Sequence, residues 1–177
     1  MSQWVGPRVS HSVFRYDGQH NQTAGPEELV MMVRDPRKRL WSAYNFGLHA
    51  YGLSYRRELL VKAATTPKQY VEFPGIKGCQ VKMLNGIHCA RDVPVTREMV
   101  DHALAVVDKA AFVGITELWN DCMCLFSAMY GGPLPKVVFN NVRNTQTIAK
   151  GNYSVSEADK NFSIEDDPDD WTLFSNG

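Results

Sequence analysis

LVMMVRDPRKRLWSAYNFGLH, residues 29 to 49, runs from an apolar segment through a charged corner into a helical pattern. Leu29-Val30-Met31-Met32-Val33 is a short continuous apolar run, the pattern of a strand buried on both faces. Arg34-Asp35-Pro36 breaks it. Pro36 suits a first helical turn, and Arg37-Lys38-Arg39 opens a helix reaching about Ala50, with Leu40, Trp41, Ser42, Tyr44 and Phe46 along it. A buried strand that ends at a polar turn and feeds a helix is where α/β proteins bind phosphate-bearing ligands. Arg34 sits at the strand's carboxyl end. Ser42 follows eight residues later, about two turns into the helix. A guanidinium and a hydroxyl so placed can close on one phosphate. The competing structural reading pairs Asp35 with Arg39 and turns Ser42 toward a neighbouring helix.

Outside this segment the chain reads as one globular domain. Its 177 residues are 44% apolar and 21% charged, enough for a real core. Nineteen Lys+Arg balance nineteen Asp+Glu, so no global charge points to nucleic acid or to a membrane surface, and any anion site is local. No apolar run is long enough to span a bilayer, and the N-terminal residues lack a signal-peptide pattern. Cys122 and Cys124, two apart in a helical pattern, point to different faces. Cys79 and Cys89 flank a short segment, and their spacing suits a disulfide as well as two buried thiols. The cysteines are too sparse, and too poorly accompanied by histidine, for a zinc site. Sequons at Asn21, Asn152 and Asn161 point to a secretory compartment.

The remaining elements follow in order. Residues 1 to 28 read as irregular, with a short strand at His11-Ser12-Val13-Phe14. A second helix is expected from about Tyr55 to Ala64, then a loop or helical turn over 67 to 76, then a short helix from Gly78 to Leu84. Thr96 caps a helix with Val100, Ala103, Leu104 and Val107 on one face. Ala111 to Ile115 is a short buried strand. Thr116 is expected to cap the next helix, Glu117 to Tyr130, with Leu118, Cys122, Leu125, Phe126 and Met129 as its apolar face; Gly131-Gly132-Pro133 stops it. Lys136 to Phe139 reads as a last strand. Glu157 to Asp170 reads as a solvated acidic loop or the frayed start of an uncompleted helix. Helices alternating with a few apolar strands favour an α/β sheet over a bundle.

Three segments share a resemblance. VRDPRKRLWSAY, residues 33 to 44, resembles the 3′-phosphate-binding motif of sulfotransferases that use 3′-phosphoadenosine 5′-phosphosulfate (PAPS). Gly78-Cys79-Gln80-Val81-Lys82-Met83-Leu84-Asn85-Gly86 is similar to the Gln-x-Arg/Lys-Met-Leu segment of Golgi carbohydrate sulfotransferases. Phe112-Val113-Gly114-Ile115-Thr116-Glu117, followed by Cys122 and Leu125-Phe126, resembles the strand-to-helix segment that comes next in that family. The resemblance covers about Ser10 to Asn141. It lies nearest the heparan-sulfate 2-O/6-O-type group and the sulfotransferase-domain proteins of protists and algae.

The resemblance implies a P-loop-NTPase-like sulfotransferase fold, with a short parallel sheet flanked by helices. It implies transfer of a sulfuryl group from PAPS, without a metal, to a hydroxyl of a glycan. Arg34 and Ser42 would bind the 3′-phosphate, and Gln80 and Lys82 would lie near the cofactor or acceptor. His11 would be the base that takes the acceptor's proton, with His20 its rival. Cys79 and Cys89 would form a disulfide in a Golgi lumen, reached through a type II membrane anchor outside this chain. The sequence departs from the family most at its start: residues 1 to 10 contain neither the lysine nor the strand of the family's 5′-phosphosulfate loop. The expectation is a partial sulfotransferase domain over residues 1–150 and a truncated polar tail over 151–177, its family helix after Asp167-Pro168 missing. A second reading is a non-catalytic remnant that binds nucleotide or glycan weakly.

Overall fold

The apolar runs at 29–33 and 111–115 pair with each other. A computed structural model describes residues 26–49, 60, 62–64, 66–89, 91–134, 136–139 and 162–176. Strand β1 (Val30–Val33) lies parallel to β2 (Phe112–Ile115), with Val30 opposite Phe112 and Val33 opposite Ile115. Met31 and Val33 point into the core, while Val30 and Met32 sit half-buried on the other face. Gly114 stands opposite Met32 in the ladder; a Cβ there would come within 2.4 Å of the Met32 sulfur, so the glycine makes room for that side chain.

Between the strands run α1 (Pro36–His49), α2 (Pro67–Val71), α3 (Cys79–Leu84) and α4 (Arg97–Lys109). Pro36 opens α1 where a missing N–H costs nothing. Thr66 caps α2 with a reciprocal bond to Gln69, and the Thr96 hydroxyl accepts from the Met99 N–H at the start of α4. The inward stripe of α4, Val100, Ala103, Val106 and Val107, meets Met31 and Val33 of β1, Val81 and Leu84 of α3, and Leu173 near the C-terminus. A second cluster gathers Leu40, Ala64, Tyr70, Val71 and Phe162 beneath α1. The arrangement is α/β, a two-stranded parallel sheet flanked by helices. Among the described residues no helix is long and apolar enough to cross a membrane.

Four expectations change. Lys136–Phe139 is a 3-10 turn, not a strand; the Trp119 indole N–H donates to the Val138 carbonyl there, which takes that acceptor from any ladder. Thr116 does not cap the helix after β2. Its hydroxyl donates instead to the Val33 carbonyl, and a 3-10 turn (Thr116–Leu118) leads into α5 (Trp119–Tyr130). The expected apolar face of α5 splits. Cys122 bonds to the Ile115 backbone and Phe126 packs edge-on against Phe112, whereas Leu118, Leu125 and Met129 are each about half exposed.

The largest change is at the acidic C-terminus. Residues 168–176 form a helix, α6 (Pro168–Asn176), that packs on α3 and α4 and buries Asp170 and Leu173. A helix therefore does follow Asp167-Pro168, and the segment before it is only partly solvated: Phe162 and Asp167 are buried, while Ser163, Ile164 and Glu165 are exposed. The expected strand at 11–14, and most of the helix expected from 55 to 64, lie outside the described residues.

Candidate functional site

The β1–β2 ladder stops at Val33, so the next peptide groups must find other partners. The Arg34 N–H donates to Gln80 Oε1 at 2.8 Å, and Gln80 Nε2 donates to the Arg34 carbonyl at 3.0 Å. One carboxamide thus does for Arg34 what a third strand would do. From the other side, Glu117 accepts the Asp35 N–H at 3.3 Å and pairs with Arg34 Nε at 3.4 Å. Parallel pairing explains this meeting. With Val33 opposite Ile115, Thr116 and Glu117 fall beside Arg34 and Asp35.

The Arg34 side chain so held is 36% exposed, and Glu117 is its one ion-pair partner among the described residues. Glu117 engages Nε, which leaves the two Nη groups of Arg34 without a partner among the described residues. Asp35 looks inward instead. Its carboxylate caps α1 through the Arg37 N–H at 2.9 Å and pairs with the Arg37 guanidinium at 2.7 Å. Burial pushes the Asp35 carboxyl up, but the Arg37 side chain and the Arg37 and Lys38 N–H groups outweigh it and hold it below its ordinary value. The local ion pair of the corner is therefore Asp35 with Arg37, not with Arg39.

Arg39 reaches across to the C-terminal segment. Its Nη2 is 2.6 Å from Asp167, and its Nε is 3.2 Å from Asp170 but not aimed for a hydrogen bond. Both carboxylates are fully buried, and both cap α3. Asp167 accepts from the Gly78 N–H at 2.8 Å, and Asp170 accepts from the Gln80 and Val81 N–H groups at 2.9 Å each. Gly78 has a positive φ of 65°, and a Cβ there would lie 2.2 Å from Val95 Cγ2, so glycine suits the site twice over. Burial and the neighbouring Asp170 charge push Asp167 up to about 6, against the pull of Arg39 and the Gly78 N–H. The residue that braces Arg34, Gln80, is thus itself seated by Asp170.

The other expected site residues are placed as follows. Ser42 lies half-buried on α1, and its hydroxyl has no hydrogen-bond partner among the described residues. Lys82 is fully buried on α3, where its ammonium donates to the Gly75 and Arg91 carbonyls. It ties two loops together, and this placement lends no support to a ligand contact. Burial pushes its ammonium down, while Asp170 and Asp167 draw it up. Cys79 and Cys89 form a disulfide, which fits a lumenal or secreted setting. His11, His20 and the three sequon asparagines lie outside the described residues. Among the described residues no group of three His, Cys, Asp or Glu side chains could hold a metal.

Sequence reasoning missed Glu117 as a partner of Arg34. Recognising that the two apolar runs pair in parallel would have found it. The roles of Asp167 and Asp170 carried no local signal, because their partners lie about ninety residues away. No protein-family model, curated protein or solved structure matched the chain.

Proposed function

We propose that the chain is a sulfotransferase domain of the PAPS-dependent class, with Arg34 as its anchor for the 3′-phosphate of the donor. The observation that carries this reading is the partly exposed Arg34 fork at the carboxyl end of a parallel strand. Glu117 holds the Arg34 side chain and Gln80 its backbone, and Ser42 follows on the next helix, its hydroxyl without a hydrogen-bond partner among the described residues. An arginine fork matches two phosphate oxygens at once, and a serine hydroxyl adds a neutral donor. Glu117 limits the site usefully: it fixes the aim of Arg34 while its negative charge disfavours an anion on the Nε side.

In the proposed reaction a glycan hydroxyl oxygen attacks sulfur in line. The bond from sulfur to the bridging oxygen of the 5′-phosphate breaks, and adenosine 3′,5′-bisphosphate leaves with that electron pair. The hydroxyl proton goes to a base, and His11 is the proposed acceptor. The P-loop-like sulfotransferase fold and the Golgi lumen belong to the same proposal, the latter supported by the Cys79–Cys89 disulfide. The test is transfer of labelled sulfuryl from PAPS to a panel of glycans, with donor binding measured on the same folded sample. Labelled glycan supports the enzyme. Binding without transfer supports the non-catalytic reading, and neither binding nor transfer overturns the proposal.

A further inference from the structure

We infer that Gln80 is a positioning residue that acts on the ligand through Arg34, and that Asp170 holds Gln80 in place. The inference deepens the function proposed above and rests on it for the identity of the ligand. Gln80 Oε1 and Nε2 address the Arg34 N–H and carbonyl at 2.8 and 3.0 Å, so the carboxamide is oriented along the backbone of Arg34. Behind it, Asp170 fixes the Gln80 and Val81 N–H groups at the first turn of α3.

A chain of contacts therefore runs from the buried C-terminal helix, through α3, to the strand end that presents the guanidinium. Glu117 fixes the side chain of Arg34, and Gln80 fixes its backbone, from two different elements. Without Gln80 the peptide groups of Arg34 would have no ladder or side-chain partner among the described residues, and the guanidinium would sample more directions. A charged ligand then binds a less pre-organised site.

Two variants test this. Gln80→Ala removes both bonds. Gln80→Glu retains an acceptor for the Arg34 N–H, but only its protonated carboxyl can donate to the Arg34 carbonyl. Amide exchange at Arg34 in the ligand-free protein, and affinity for adenosine 3′,5′-bisphosphate, are measured as ratios to the wild type at the same pH.

For Gln80→Ala, exchange should quicken and affinity should weaken by about tenfold at both pH values, the loss of one or two modest hydrogen bonds. For Gln80→Glu, exchange at Arg34 should stay close to the wild type at both pH values, because an acceptor for its N–H remains. The affinity ratio should approach the wild type near pH 4 and fall near pH 7.5, where the ionised carboxyl no longer donates to the Arg34 carbonyl. A residue that merely stabilises the fold would leave affinity for the bisphosphate unchanged in protein that stays folded. Should Gln80→Ala not fold, the affinity ratios of Gln80→Glu at the two pH values supply the comparison. Unchanged exchange at Arg34 in Gln80→Ala, or an affinity ratio of Gln80→Glu that does not change with pH, overturns the positioning role. If the wild type binds no bisphosphate, the functional reading falls, and exchange alone decides the positioning.

Discussion

Replacing Asp170 with alanine removes the acceptor of two backbone N–H groups, Gln80 and Val81, and one of the two carboxylates facing Arg39. A buried donor left without a partner costs about 1–3 kcal/mol. Two of them give about 2–6 kcal/mol by the same rule. Part of this is offset. Asp170 is itself a buried charge that crowds Asp167, and its removal relieves that repulsion while Arg39 keeps Asp167 as a partner. The expected net loss is about 2–4 kcal/mol. Asp170→Asn should lose less, since its carbonyl still accepts one N–H. Urea unfolding near neutral pH measures the difference, and Trp171, stacked under the Arg37 guanidinium on α6, offers a fluorescence report from the same helix. Stability of Asp170→Ala within about 0.5 kcal/mol of the wild type, as for an ordinary surface change, would refute the docking of the C-terminal helix.

Three further outcomes are expected. Asp167 has a folded pKa of about 6, above its ordinary 3.8, so the folded protein binds this proton more tightly than the unfolded chain. Its contribution to stability is fully present below the unfolded value and is lost as pH rises through about 6. Unfolding midpoints of the wild type and Asp167→Asn across that range should show a smaller loss of stability with rising pH in the variant, and parallel curves would contradict the shift. Gly78→Ala should cost about 2–4 kcal/mol, from the left-handed backbone and the Val95 overlap together; thermal melting checks it, and an unchanged midpoint would count against the turn. Reducing Cys79–Cys89, ten residues apart, should lower stability by about 2–3 kcal/mol through the shorter closed loop; denaturation with and without reductant reads this directly, and coincident curves would speak against the disulfide.

Much of the framework was legible because it rests on local patterns. The apolar runs at 30–33 and 112–115 are the two strands, and Thr96 with Val100, Ala103 and Val107 is the start and inner face of α4, where Val106 is buried and the expected Leu104 only partly so. Arg34 could be placed at a strand end for the same reason. Lys136–Phe139 misled because a run of three apolar residues has no period that separates strand from turn. The acidic segment misled for a deeper reason. Carboxylates are ordinarily solvated, and nothing near Asp167 or Asp170 in the chain reveals that α3 offers them three unpaired N–H groups. The burial of Lys82 was hidden in the same way, since its acceptors are carbonyls brought in by the fold of the loops around α3.

The most direct test of the account is calorimetric titration of the folded chain with adenosine 3′,5′-bisphosphate and with adenosine 5′-monophosphate, for the wild type and Arg34→Ala. The account predicts that the wild type prefers the bisphosphate, and that Arg34→Ala erases this preference with a loss of about tenfold to a hundredfold in affinity. Equal affinity for the two nucleotides in the wild type, or an unchanged preference in Arg34→Ala, would contradict the assignment of Arg34 to the 3′-phosphate.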